Sequence, residues 1–166
     1  MRTRSTILAL SLMLAAACGA STKAITPTPP AAMHAGLNIK LTSVYVDDQD
    51  KALRFYTEVL GFVKKADFSQ GPYRWLTVAS PEDPNGTELQ LALNDNPAAR
   101  AYQQAMFQQG QRAAMFYTDD VQADYERMKA RGAEFTMPPT DVTGSKIAML
   151  NDTCGNLIQV TQLMRR

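Results

Sequence analysis

Two glutamines stand in apolar surroundings. Gln90 lies in "NGTELQL" (85–91) and Gln159 in "CGNLIQV" (154–160), each a few residues after a turn glycine and flanked by Leu, Ile or Val. A primary amide has donors and an acceptor, so once withdrawn from water it must pair with a neighbour, with backbone or with a ligand. Glu88 stands two residues before Gln90, on the same side of any strand that holds both. A carboxylate in an apolar setting can serve as a general base, which makes Glu88 the candidate for any proton transfer. Other reactive types carry less. The pairs Asp47-Asp48 and Asp119-Asp120 fall where a strand-like run becomes helix-like, a position that N-capping explains. Cys154 has no histidine or basic cluster beside it, so a quiet thiol is expected. His34 is the single histidine of the chain and lies in a stretch without apolar periodicity.

The elements that position these residues come in two similar sets. Residues 38–46, "NIKLTSVYV", alternate and are β-branched, as a strand requires. Then Ala52, Phe55, Tyr56, Val59 and Leu60 fall on one face of a helix that Gly61 ends. Strands are expected at 62–68, 73–79 and 87–93, between Gly, Pro and Asn turns, giving the order βαβββ. The order then repeats: a strand in "RAAMFYT" (112–118), a helix with Val121, Tyr125 and Met128 on one face, and strands near 133–137, 145–150 and 156–163. A shift of 72 residues lays Val46-Asp47-Asp48 on Thr118-Asp119-Asp120. Between the halves, "NPAARAYQQAMFQQG" (96–110) predicts a connecting helix with Ala98, Ala101, Tyr102, Ala105 and Met106 on its packed face. One supersecondary unit is used twice, each copy covering what the other cannot bury alone.

A length of 166 residues, 45% hydrophobic and 20% charged, suits a single globular domain. The formal charge of +1 supplies no basic field for nucleic acid. Arg2 and Arg4 precede an apolar run, 7–17, too short for a transmembrane helix but suited to a secretory signal. "LAAAC" (14–18) resembles a bacterial lipoprotein signal, in which the cysteine, here Cys18, is lipidated and becomes the new N-terminus. Ordinary cleavage and release of a soluble protein is the other reading. Losing two of 17 basic residues leaves 15 against 16 acidic, a mature charge of −1. Residues 19–36, rich in Ala, Thr and Pro, predict an extended linker. The expected location is the bacterial cell envelope, lipid-anchored and facing the periplasm or exterior. With Cys18 lipidated, Cys154 has no disulfide partner.

"VYVDDQDKALRFYTEVLGF" (44–62) resembles the opening of the glyoxalase/bleomycin resistance/dioxygenase family, the vicinal oxygen chelate (VOC) superfamily: a strand, V-x-D, a helix with F-Y, then L-G-F. "DTCGNLIQV" (152–160) resembles the family's closing strand. The resemblance covers about 37–163. It implies an α+β fold of two βαβββ modules, 37–95 and 111–164, joined by a linking helix over 97–110 and curling as mixed sheets into a cup. In metal-dependent members, His on the first strands and Glu on the last strands hold the ion. Those positions here are Leu41, Gln90, Ala113 and Gln159, with Glu88 replacing Gln90 in an alternative register. Leu and Ala offer no donor and neutral amides are weak ones, so neither metal nor another cofactor is expected.

Strand alternation then puts Leu41, Ser43, Tyr45, Trp75, Thr77, Glu88 and Gln90 on the cup face of the first module, with Arg74 opposite or at the rim. Ala113, Met115, Tyr117, Leu157, Gln159 and Thr161 line the second. Ser43, Tyr45, Trp75, Glu88, Gln90, Met115, Tyr117 and Gln159 are the candidate ligand-pocket residues, an apolar and aromatic lining with a few polar groups. The leading expectation is an envelope-tethered, non-enzymatic binder of a small amphipathic or aromatic molecule. An enzyme is the first alternative, either metal-dependent like other members or metal-free with Glu88 as base. The second is a structural or partner-binding envelope lipoprotein. A homodimer stays open, since in the family modules pair either within a chain or across two.

Overall fold

The computed structural model describes residues 36–164; the signal-like segment with Cys18 and the linker with His34 lie outside the described residues. Strand β1 (Leu41–Val46) buries Val44 and Val46 on one face and turns Leu41, Ser43 and Tyr45 to the other. Asp48 then caps helix α1 (Gln49–Arg54), its carboxylate accepting the Lys51 backbone N–H at 2.9 Å. The spacing predicts one uninterrupted α-helix, but α1 widens into a π-helical turn over Phe55–Val59, where the Leu60 N–H reaches back to the Phe55 carbonyl at 3.1 Å. The adjacent rings of Phe55 and Tyr56 are both buried there. Gly61, at φ +94, lets the chain leave the helix.

Strands β2 (Val63–Gln70), β3 (Tyr73–Ala79) and β4 (Glu88–Leu93) complete the first sheet in the order β1-β4-β3-β2, with β1 parallel to β4. After helix α2 (Pro97–Gln108) the pattern returns: β5 (Arg112–Tyr117), α3 (Val121–Ala130), β6 (Glu134–Val142), β7 (Ser145–Asn151) and β8 (Leu157–Leu163). The second sheet runs β5-β8-β7-β6, with β5 parallel to β8. The registers match: Ser43 lies opposite Gln90 and Met115 opposite Gln159, so the 72-residue shift that carries Ser43 onto Met115 makes the two glutamines equivalents. The architecture is α+β, two curled four-stranded mixed sheets with helices against one face of each.

Two expectations need correction. β6 does not stop at residue 137 but runs to Val142 through Pro138 and Pro139. It is an edge strand whose register shifts at Met137–Thr140, and such a place tolerates residues that cannot donate to the ladder. The packed face of α2 is also rotated from the expected one: Ala99 and Gln103 are buried, while Ala98, Ala101, Tyr102 and Ala105 are exposed. Apolar type alone misplaced it, because what this helix must reach is polar.

The two modules share one core, in which Val44, Val46, Leu76, Val78, Leu89 and Leu91 meet Ala148, Leu150, Ile158 and Val160 through the helices. Phe62 packs edge-on against Phe116 at 5.0 Å. Arg127 of α3 donates to the Val59 and Leu60 carbonyls at 3.3 Å, and Arg131 to Glu58 at 3.1 Å, so one module's arginines cap the other's helix end.

A buried polar network completes the join. The carboxylate of Asp152, fully buried, accepts the Cys154 and Asn156 backbone N–H groups at 2.8 Å, the Asn156 side-chain amide at 2.6 Å and the Tyr56 hydroxyl at 3.1 Å. Burial pushes its carboxyl above the ordinary value, while the bonds from Asn156 lead those opposing the rise. Asn156 and Gln103 both donate to the Tyr45 carbonyl, at 2.8 and 2.7 Å, on the edge of β1 that has no partner strand among the described residues. Gln103 also donates to the Cys154 carbonyl at 2.9 Å and accepts from Asn94 at 2.6 Å. Gly155, at φ +96, lies so close that an added Cβ would stand 3.0 Å from the Gln103 amide nitrogen. Gln103→Ala would leave the buried Cys154 carbonyl and the Asn94 side-chain amide without this partner, and a loss of about 3 kcal/mol in chemical denaturation is expected. Tyr102→Ala, on the exposed side of the same helix, is expected to cost less than about 0.5 kcal/mol.

Candidate functional site

The faces turned away from the core carry the candidate residues. On the first sheet, Ser43, Tyr45, Trp75, Thr77, Glu88 and Gln90 share one face, as alternation requires. The Ser43 hydroxyl donates to Gln90 Oε1 at 2.9 Å, and the Thr77 hydroxyl donates to Glu88 Oε2 at 2.6 Å. Trp75 stacks on Phe68 with centroids 6.4 Å apart. Arg74 points to the opposite face, held by Asp67 at 2.8 Å and Asp50 at 2.6 Å. The guanidinium in turn holds the Asp67 carboxyl down to about 2. On the second sheet, Met115 and Tyr117 stand beside Gln159 and Thr161, and the Gln159 amide donates to the Thr161 hydroxyl at 2.9 Å. Each glutamine is thus tied to a hydroxyl of its own sheet; neither bonds to the other.

The aromatic rings are not core. Tyr45 is 41% exposed, Trp75 38% and Tyr117 64%. Glu88 is half-buried rather than sealed in an apolar pocket. Both acidic pairs stand at helix starts: Asp48 and Asp120 are N-caps, with Asp120 accepting the Gln122 and Ala123 backbone N–H groups, and Asp47 pairs with Lys51 at 2.8 Å.

The four positions that the family resemblance assigns to metal ligands do not fit a divalent ion. Leu41 and Ala113 have no donor atom, and Gln90 Oε1 is engaged by Ser43. Among the described residues no group of three His, Cys, Asp or Glu stands close enough to hold a metal.

Two cavities flank α2. The first, about 300 Å³, lies between the modules and joins Ser43 and Tyr45 of β1, Ala113 of β5, and Tyr102, Gln103 and Met106 of α2. The second, about 450 Å³, opens on the other side of the helix, around Arg100, Gln104 and Gln108. Of the candidate pocket residues, the first cavity gathers Ser43 and Tyr45; Trp75, Glu88, Gln90, Met115, Tyr117 and Gln159 stand outside its walls. Sequence reasoning missed Tyr102 and Gln103 as wall residues. The available signal was Gln103 itself, an amide set among alanines like the amides of the strands.

Residues 38–160 match the family model of the Glyoxalase/Bleomycin resistance protein/Dioxygenase superfamily. The chain belongs to this superfamily. It is 50% identical to the uncharacterized protein YurT of Bacillus subtilis (strain 168) over 126 residues, 76% of this chain and 99% of YurT. It is 34% identical to the uncharacterized protein YetH of the same organism, over 72% of this chain and 92% of YetH. Among solved structures, UcmS2 superposes with a TM-score of 0.68 at 26% identity, covering 76% of this chain and 98% of that one. TnmS3, an antibiotic binding protein from Streptomyces sp. CB03234, superposes with a TM-score of 0.64 at 32% identity, covering 78% of this chain and 98% of TnmS3.

In this VOC-fold chain, the "DTCGN" turn that resembles a family signature is structural: its Asp152 and Asn156 hold the modules together, and its cysteine is sealed. Burial, and then the neighbouring Asp152 charge, push the Cys154 thiol up to about 12. Native protein at pH 8 is therefore expected to leave Cys154 unlabelled by a thiol-disulfide reagent and to react at once in denaturant. Rapid labelling of Cys154 itself in the native state would contradict a sealed thiol.

Proposed function

We propose that this protein binds a small aromatic or amphipathic molecule and does so without a divalent metal. The observation that carries the reading is the exposed Tyr45, Trp75 and Tyr117 rings together with two hydroxyl–amide pairs, Ser43 with Gln90 on the first sheet and the buried Gln159 with Thr161 on the second. Aromatic rings supply large contact areas, and a few polar groups beside them orient a ligand, which is the make-up of small-molecule sites. The antibiotic-binding activity of TnmS3 supports the same assignment. The donor chemistry at Leu41, Gln90, Ala113 and Gln159 argues against a metal-dependent lyase or dioxygenase.

Dialysed full-length protein, screened by thermal melting against a broad panel of aromatic metabolites and antibiotics, is expected to give compounds that raise Tm by several degrees. A ligand at 100 times its Kd stabilises by about 2.7 kcal/mol. EDTA is expected to leave the melting curve unchanged. A panel with no shift at all, or stoichiometric Zn, Ni, Mn or Fe in the purified protein, would reverse this assignment.

The same reading places the domain at the cell envelope, tethered through Cys18 and the Pro-rich segment after it. Its support is the run of two arginines, an apolar stretch and small residues before Cys18. Cys18→Ala is expected to move the protein from the membrane to the soluble fraction of the producing bacterium. An unchanged distribution would remove the lipid anchor.

A further inference from the structure

The cavity between the modules has a composition that specifies its ligand more closely than the sheet faces do. Its walls are Ser43, Val44, Tyr45, Tyr102, Gln103, Met106, Ala113 and Asn156, and none carries a formal charge at neutral pH. Its volume, about 300 Å³, suits a small fused-ring molecule. Tyr102 is 58% exposed and Tyr45 41%, so neither ring is committed to the core. Met106 adds a thioether, which packs well against aromatic rings.

The polar groups are set by the edge of β1. The Lys40 and Val46 carbonyls accept from Glu88 and Asn94, towards β4, whereas the Tyr45 carbonyl points the other way, to Gln103 and Asn156. Strand alternation turns the Ser43 backbone to the same free edge as Tyr45. Gln103 and Asn156 engage the Tyr45 carbonyl, which leaves the N–H and C=O of Ser43 as the edge groups for a ligand. A strand edge is complementary to a donor and an acceptor side by side, as in an amide.

We propose that this cavity is a ligand subsite separate from the sheet faces, meeting them at Ser43 and Tyr45, and takes a neutral, flat aromatic molecule bearing an amide-like donor–acceptor edge. The rings of Tyr45 and Tyr102 cover its faces, and Ser43 reads its edge. The inference rests on the small-molecule reading above. It adds Tyr102, on the linking helix, as a specificity residue that neither sheet face contains.

Calorimetric titration of the full-length protein with 2-naphthamide, 2-naphthoate and naphthalene tests it, alongside the broad melting panel. Binding of 2-naphthamide at least tenfold tighter than of the other two is expected, with little change between 50 and 500 mM salt because no wall residue is charged. Tyr102→Ala should weaken 2-naphthamide at least tenfold while the ligand-free Tm stays unchanged; Tyr73→Ala, at the β2–β3 hairpin, should bind as the native protein does. Equal binding by Tyr102→Ala, or a preference for the naphthoate, overturns the cavity assignment. If the broad panel yields ligands and 2-naphthamide does not bind, this inference fails and the small-molecule function stands. If neither binds, both fail.

Discussion

The polar part of the join between the two modules turns on a carboxylate shut away from solvent. Asp152 is fully buried, and an ion in such a place persists only when every lone pair is occupied. Four donors meet that need: two backbone N–H groups of its own turn, the Asn156 amide and the Tyr56 hydroxyl from the other module. Asn156 then reaches the Tyr45 carbonyl, where Gln103 arrives from the linking helix. The edge of β1, which would otherwise expose a carbonyl ready to pair with another strand, is blunted by two side-chain amides. The same contacts hold α2 against that edge and so define the cavity beside it.

That arrangement separates stability from binding chemistry. The core and the buried network use one face of each sheet, the helices and the "DTCGN" turn. The opposite faces carry exposed rings, Tyr45, Trp75 and Tyr117, beside hydroxyls and amides of which Thr77, Gln159 and Thr161 are buried. The positions that the family resemblance assigns to metal ligands are Leu41, Gln90, Ala113 and Gln159. Two neutral amides held by Ser43 and Thr161 keep those faces polar without supplying the charge that a divalent ion requires.

Much of the fold was legible in the residues because it depends on short-range physics. Alternation marked the strands, the 3.6-residue period placed Ala52, Phe55, Tyr56, Val121 and Met128 inside, and Asp48 and Asp120 announced their helices. The repeat made Gln90 and Gln159 equivalents before any register was known. The π-helical turn was not legible, since its i→i+5 bonding leaves an apolar pattern close to that of an α-helix. Nor was the length of β6, where Pro138-Pro139 reads as a stop until the strand is known to lie at an edge.

By itself the sequence determined the two βαβββ units, the alternation of their strands and the caps of α1 and α3. Each follows from residue type and from neighbours a few positions away. Only the tertiary structure decided which face of α2 is buried, that Asp152 and Asn156 join the modules, and that Tyr102 and Tyr45 line one cavity. The reason is distance along the chain: Asn156 meets Tyr45 across 111 residues and Gln103 meets Tyr45 across 58. A hydrogen bond between such partners imposes no period on the sequence. An amide in a helix looks like surface until the carbonyl it must satisfy is in place.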